Sequence, residues 1–144
     1  MPKSYISIET KRRVFDRAYG YCEYCQSPSH YGTSSFQIEH IVPTSRGGDN
    51  GLRNLALSCP GCNGYKSDRI EAIDPADGEL VPLYNPRKQT WHEHFNWNEQ
   101  YSLILGITAT GRATVEALQV NRTSLVNLRH ALYMIGKHPP RVED

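Results

Sequence analysis

The sequence has few large apolar side chains and no long apolar run. Its 144 residues include three Phe and two Trp, and the hydrophobic share is 38%. The core must therefore be modest, and a bound metal ion would help to hold it together. No segment reaches the length of a membrane span, and the opening Met1-Pro-Lys-Ser lacks the apolar stretch of a signal peptide. We expect a cytoplasmic protein without membrane contact, folded as a single domain over residues 1–144.

The chain also lacks a strong net charge. Its formal charge at pH 7 is +1, which excludes the strongly basic composition of many nucleic-acid-binding proteins. Four basic residues nevertheless lie close together in sequence and could form a local basic face for a phosphate backbone: Arg46, Arg53, Lys66 and Arg69. For each of them an ordinary solvated position is at least as good an interpretation.

No cysteine lies outside two Cys-x-x-Cys pairs, which are Cys22 with Cys25 and Cys59 with Cys62. Two such pairs supply the four thiolates of a tetrahedral zinc site, and four protein ligands leave no open position for water. The pattern therefore predicts a structural zinc ion. A redox-active pair and buried free cysteines are the alternatives, and the absence of a spare cysteine favours zinc.

A histidine stands near the end of a predicted strand. Residues 36–42 alternate in polarity and include β-branched side chains, which predicts a strand that Pro43 terminates. His40 faces a Gly-Gly loop, where an imidazole can reach solvent and accept a proton from water. Strand alternation would send Glu39 and His40 to opposite faces. For both to serve one site the backbone must turn here, as Pro43 suggests.

Two asparagines complete the candidate site. Asn63 follows Cys62 and opens a helix predicted over residues 63–70, and its side-chain oxygen is a hard ligand suited to Mg²⁺. A helix N-cap is the competing interpretation of Asn63. Asn54 lies in a loop, where asparagine often satisfies only backbone groups. Neither residue identifies a site by itself.

The rest of the sequence predicts a helix capped by Ser7 and ended by Gly20, a helical turn over 52–57, a strand over 101–107 and helices over 114–120 and 123–135. The last two helices would belong to a C-terminal packing lobe over residues 71–144. Three arginines on this lobe could form a DNA-facing edge, although acidic neighbours favour an ordinary solvated face: Arg112, Arg122 and Arg129.

Taken together, these residues resemble the HNH endonuclease family. The resemblance covers about residues 22–69 and rests on the cysteine pairs and on four further elements, which are Glu39-His40, Gly47-Gly48, Asn54-Leu55 and Cys62-Asn63-x-x-Lys66. No single element would carry it, but the combination is specific. It implies an α+β fold with a ββα-metal core over residues 22–70, stabilised by the four-cysteine zinc, and a C-terminal helical lobe.

The resemblance also implies a role for each residue of the site. His40 would be the general base, and Asn54 would order the loop and orient that base. Asn63 would replace the final histidine of the motif, which gives a His-Asn-Asn variant. Glu39 and Asn63 would together hold one divalent ion, such as Mg²⁺, Mn²⁺ or Ni²⁺. Lys66, one helical turn after Asn63, could contact the phosphate.

We therefore expect a metal-dependent endonuclease that hydrolyses DNA phosphodiester bonds and leaves a 3′ hydroxyl and a 5′ phosphate, as the resemblance implies. One alternative is a zinc-knuckle nucleic-acid-binding module with an inactive site. A weaker one is a thiol redox protein. The joint presence of His40, Asn54 and Asn63 favours hydrolysis, since a binding module does not need all three. The sequence carries no signal for the oligomeric state.

Overall fold

The computed structural model describes residues 5–140, so the opening Met1-Pro-Lys-Ser lies outside the described residues. The helices are α1 Ile8–Arg17, α2 Pro60–Lys66, α3 Trp91–His94, α4 Ala109–Leu118 and α5 Thr123–Met134. The strands are β1 Gln37–His40, β2 Leu55–Ser58, β3 Glu71–Ile73, β4 Leu80–Pro82, β5 Phe95–Trp97 and β6 Ile104–Gly106. The strands form three antiparallel pairs, β1 with β2, β3 with β4 and β5 with β6. The predicted α+β class is confirmed.

The first helix begins where the sequence predicts. The Ser7 hydroxyl accepts the backbone N–H of Thr10 at 3.1 Å and so caps α1. Val14 is completely buried on its inner face and packs with Leu55 and Leu57 of β2. Gly20 follows the helix with a φ of +74°, a conformation that glycine adopts without strain. α1 therefore covers one face of the β1–β2 pair.

The second strand replaces part of a predicted helical turn. Residues 52–54 do form a short 3₁₀ turn, but Leu55–Ser58 is a strand whose four residues are all buried. It pairs with β1 so that Leu57 faces Ile38 and Leu55 faces His40. A short apolar run that is buried on both faces is compatible with a helical turn or a strand. Pairing with β1 makes this run a strand. The prediction of a helical turn through residue 57 is wrong.

Helix α2 begins and ends earlier than the predicted range 63–70. Pro60 occupies the first turn, where its missing N–H is harmless, and the Cys59 sulfur accepts the N–H of Cys62. Ser67, with a φ of +53°, ends the helix. Asn63 therefore lies inside the helix and is not its N-cap.

The C-terminal part packs directly on the first part. One cluster of buried residues includes Cys59 and Cys62 from the first part and Phe95, Leu118 and Leu125 from the second. α4 starts before its predicted range because Thr108 caps it, accepting the N–H of Gly111. The predicted break at 121 is present, and the Asn121 side chain there bonds both backbone groups of Ile104. Across residues 5–140 the helices are too short or too polar to span a bilayer.

The predicted solvated face of arginines is not what the structure shows. Arg112 forms two hydrogen bonds to the buried Asp74 carboxylate, at 2.9 and 2.8 Å. Arg129 is only 4% exposed and donates to the carbonyl oxygens of Ser102 and Val120. These arginines hold elements of the C-terminal lobe together. They do not form a DNA-facing edge.

Candidate metal centre and hydrolytic site

The four cysteines come together in one buried cluster. One ligand atom from each of Cys22, Cys25, Cys59 and Cys62 lies within 4.8 Å of all the others. Each pair closes a tight turn in which a backbone N–H points at a sulfur, from Cys25 to Cys22 at 3.5 Å and from Cys62 to Cys59 at 3.4 Å. The turns that the two pairs form are therefore of the kind that holds thiolates around a metal ion.

The electrostatics of the cluster fit zinc. Burial raises the pKa of the Cys22 thiol, whereas hydrogen bonds from Cys22, Cys25 and Cys62 lower that of Cys59. Four thiols this close cannot all ionise in a buried place without a cation between them. Four soft sulfur donors are the set that Zn²⁺ takes in closed structural sites, so the residues present fit that ion.

Glu39 lies in the interior between two partners. Its side chain is 3% exposed, and Oε1 accepts the hydroxyl of Tyr24 at 2.7 Å. The Lys66 ammonium lies 2.5 Å from Oε2, with 2% of the lysine side chain exposed. Lys66 also donates to the carbonyl oxygen of Ile41 at 2.9 Å. This is a buried ion pair between the end of β1 and the end of α2.

This ion pair bears on two predicted roles. The buried Lys66 does not lie where it could contact a phosphate, because its ammonium faces the Glu39 carboxylate. Burial raises the pKa of Glu39, while Lys66 and Tyr24 act in the opposite direction. The Lys66 ammonium is the close partner of the buried Glu39 Oε2. That oxygen fits a cation, but a divalent ion would have to displace Lys66 from it.

His40 lies on the other face of β1 and contacts a residue that the sequence did not single out. Its Nε2 lies 2.7 Å from Asn50 Oδ1. The orientation of the Asn50 amide follows from its other end, where Nδ2 donates to the backbone oxygen of Tyr5 at 3.0 Å. A carbonyl oxygen only accepts, so Nε2 of His40 carries the proton. The neutral ring then keeps its lone pair on Nδ1.

Asn54 holds the loop that follows β1. Its Oδ1 accepts the N–H of Val42 at 2.8 Å, and its Nδ2 donates to the carbonyl oxygens of Val42 and Asp49, both at 2.9 Å. The two glycines fit this closure. Gly47 has a φ of +92°, and a Cβ on Gly48 would lie 1.7 Å from the Val42 oxygen. Asn54 thus fixes the loop, whereas Asn50 contacts the imidazole.

Asn63 is half-buried on α2 and donates a hydrogen bond to the side chain of Gln37. Gln37 and Glu39 share one face of β1, and Asn63 and Lys66 lie one turn apart on α2. Asn63 contacts Gln37, and Lys66 contacts Glu39. The structure brings this face of β1 to α2 and leaves His40 on the opposite face. No side-chain hydrogen bond or ion pair among residues 5–140 joins His40 to Glu39 or Asn63.

The remaining basic residues differ in their exposure and in the hydrogen bonds of their guanidinium groups. Arg53 is exposed, and Arg46 is exposed with its Nε donating to the Asp68 carbonyl at 2.8 Å. Arg69 instead donates to the carbonyl oxygens of Tyr65 and Ala117, at 2.5 and 3.1 Å. Arg46 and Arg53 are therefore better placed than Arg69 for contact with an external phosphate.

The fold and the thiol cluster define a small α+β metal-binding protein. Comparison with known families gives the class more closely, because residues 22–69 match the family model of the HNH endonuclease. This match confirms the predicted resemblance of the segment to the HNH endonuclease family. A comparison with curated proteins gave no match.

Two contacts of the site were missed in the sequence. Asn50 stands in an Asp-Asn dipeptide, which predicts a turn and gives no sign of a contact with His40. Tyr24 lies inside the first cysteine pair, and the cysteine spacing gives no sign of its contact with Glu39. A buried tyrosine needs a hydrogen-bond partner, and that need was the only signal available.

Proposed function

We propose that the HNH domain hydrolyses phosphodiester bonds of DNA with His40 as the general base. The observation that carries this proposal is the contact between His40 Nε2 and Asn50 Oδ1, which leaves Nδ1 as the proton acceptor. A half-buried imidazole at a strand end can take a proton from a water molecule beside a phosphate. Asn50 holds the ring in one tautomer, and Asn54 holds the loop that carries Asn50.

The proposal includes one divalent ion, held by Glu39 and Asn63. Both offer hard oxygen ligands of the kind that Mg²⁺ prefers, although Mn²⁺ or Ni²⁺ could replace it. The ion would supply neutralisation of the charge that develops on the phosphate oxygens. Support comes from the buried Glu39 Oε2, which already attracts a cation, the Lys66 ammonium at 2.5 Å. Binding of the ion requires that Lys66 move away from this oxygen.

Arg46 and Arg53 are proposed as contacts to the DNA backbone. Both are exposed: Arg46 lies within the loop that Asn54 holds, and Arg53 directly precedes Asn54. Such contacts position a nucleic acid without reading its sequence, and their strength falls with salt. The small net charge of the chain makes a local contact of this kind the relevant one.

The test is incubation of supercoiled plasmid with the zinc-loaded protein in the presence of Mg²⁺, Mn²⁺ or Ni²⁺. We expect nicking or linearisation by the parent protein and a loss of about 10²–10⁴-fold in rate for His40→Ala. Zinc content and circular dichroism of the variant should be unchanged, since His40 lies outside the thiol cluster. Undiminished cleavage by folded His40→Ala would remove the role proposed for this histidine.

A second candidate is a zinc-dependent nucleic-acid-binding module without hydrolysis. The buried contact of Lys66 with Glu39 favours it, because the position that a divalent ion would take is occupied by an ammonium. This candidate predicts retention of labelled DNA in a mobility-shift assay and no cleavage with any of the three metals. Cleavage that depends on His40 excludes it.

A further inference from the structure

A guanidinium group from the C-terminal part lies against the cysteine cluster. Arg122 follows α4 and precedes α5, and its Nη2 lies 3.4 Å from Cys59 Sγ. Its Nη1 and Nη2 each lie 3.9 Å from Cys62 Sγ. The two sulfurs it faces are those of the second cysteine pair. This arginine was predicted to belong to a solvated face, and the structure instead places it beside a metal centre.

The charge of the cluster gives this position a physical meaning. Four thiolates around one Zn²⁺ carry a net charge of about −2 in a buried place, where an uncompensated charge is strongly unfavourable. A guanidinium is always protonated and has five N–H donors in a planar group, so it can approach several sulfurs at once. Each N–H that points at a thiolate also withdraws electron density from the sulfur.

The neighbouring backbone makes room for the guanidinium. Gly61 stands between Cys59 and Cys62, and a Cβ at this position would lie 2.2 Å from Nη2 of Arg122. The guanidinium also lies over the Tyr65 ring, with its Cζ 5.7 Å from the ring centroid. The glycine and the aromatic ring together form a slot on α2 that fits this group.

Arg122 has a second set of contacts, and a test must distinguish their effect from that of the contacts with sulfur. Its Nη1 donates to the carbonyl oxygens of Leu118 and Gln119, at 3.2 and 3.0 Å, where α4 ends. Loss of these bonds would loosen the end of α4 whether or not the arginine acts on the metal. A change in thermal stability alone therefore does not identify the role of Arg122.

We propose that Arg122 is a positioning residue of the zinc site, which holds the thiolates of Cys59 and Cys62 by N–H···S contacts and offsets their charge. The C-terminal lobe thereby contributes to metal retention by an HNH domain whose four ligands all come from residues 22–62. The role is independent of whether the domain cleaves DNA.

Zinc release gives the first test. The holoprotein is mixed with an excess of a chromogenic chelator, and the rate of zinc transfer is compared between the parent and Arg122→Gln. We expect release about 10-fold faster from the variant, since loss of a group that supports a metal ligand typically weakens binding by about 10–100-fold. Equal rates in the parent and in a folded Arg122→Gln would overturn the proposal.

A pair of glycine variants tests the same contact while Arg122 is retained. Gly61→Ala adds a methyl group where the guanidinium lies, whereas a Cβ on Gly64 of the same helix meets nothing within 4 Å. Both changes replace a glycine of the same helix by alanine, which is the better helix former. We expect Gly61→Ala to displace the flexible end of Arg122 and to speed zinc release, while Gly64→Ala does not. Equal release from the two variants contradicts the proposal.

Cobalt spectra distinguish an effect of Arg122 on the metal ligands from its hydrogen bonds at the end of α4. In Co²⁺-substituted protein, removal of N–H···S contacts makes the thiolates better electron donors, so the sulfur-to-cobalt charge-transfer bands should move to longer wavelength. We expect this shift in Arg122→Gln and in Gly61→Ala, and not in Gly64→Ala. Unshifted bands in both of the first two variants would show that Arg122 only caps α4.

Discussion

The cysteine cluster and the surroundings of Glu39 are both buried and charged, but their charges are balanced in different ways. The four thiols have one another as neighbours, and Arg122 reaches them from one side. The Glu39 carboxylate has an ammonium at 2.5 Å and a tyrosine hydroxyl at 2.7 Å. The first region is incomplete without a metal ion, whereas the second is already neutral.

This difference teaches what a metal ion does in each place. At the thiol cluster the ion makes possible a set of like charges that could not otherwise be buried together. At Glu39 an incoming ion must compete with Lys66, so its binding is a displacement. A zinc ion at the thiol cluster would therefore belong to the folded state of this protein, and a divalent ion at Glu39 would belong to its working cycle.

The largest expected effect comes from removal of one thiolate. Cys22→Ser should abolish tight zinc binding and leave most of the chain unfolded at 25 °C. A structural zinc contributes on the order of 10 kcal/mol to the folding of small domains, which is comparable to their whole stability. Circular dichroism and zinc content measure the result. Ser27→Ala, next to Cys25 Sγ at 3.2 Å but not a ligand, is the matched control and should stay folded.

The thiol cluster and the Glu39 region also differ in how far the sequence predicts them. The thiol cluster was predictable because cysteines without other partners select one another and zinc. The burial of Lys66 was not, since a lysine on a short polar helix is ordinarily solvated and only the tertiary fold sets it against Glu39. The loop held by Asn54 lies between these cases, because its Gly-Gly pair indicates a turn but not which side chain closes it.

The elements of secondary structure follow a similar rule. Ser7 and Thr108 cap helices through contacts with residues three positions ahead, and the Ser7 cap was predicted from local sequence. β2 was missed because its identity depends on pairing with β1 across 14 intervening residues, from His40 to Leu55. Local rules cannot distinguish a short buried strand from a helical turn.

The second largest effect should come from breaking the buried ion pair. Lys66→Met leaves the Glu39 carboxylate buried without its cation and should lower the free energy of unfolding by about 3–5 kcal/mol. The double variant Glu39→Gln with Lys66→Met should recover much of this loss, because neither charge remains. Urea denaturation measures both, with exposed Lys88→Met as the control. Equal stability of Lys66→Met and the parent would mean that the Glu39 region is not balanced by Lys66.

The third prediction concerns the face of β1 that carries His40. Asn50→Ala removes the acceptor at Nε2 and should reduce the rate of plasmid cleavage by about 10–100-fold through lost orientation of the ring. The effect should fall on kcat, with KM nearly unchanged, since Asn50 orients the base and does not bind substrate. Asn50→Asp keeps an acceptor oxygen and should recover part of the rate. A change confined to KM would assign Asn50 to substrate binding instead.

The smallest expected effect tests whether a divalent ion can displace the Lys66 ammonium from Glu39 or whether this ion pair excludes the ion. If Lys66 occupies the place of a divalent ion, then Mg²⁺ should stabilise Lys66→Met more than the parent protein, by about 1.4 kcal/mol at ten times its Kd. Mg²⁺ is the suitable probe because thiolates bind it poorly, so the zinc cluster does not contribute. Glu39→Gln with Lys66→Met should lose the response, and differential scanning fluorimetry measures all three proteins.

A Mg²⁺ response that is equal in all three would remove Glu39 as a ligand and leave the ion pair as a structural element only. The domain would then match the nucleic-acid-binding candidate better than the nuclease, because the hydrolytic site would have no place for its ion.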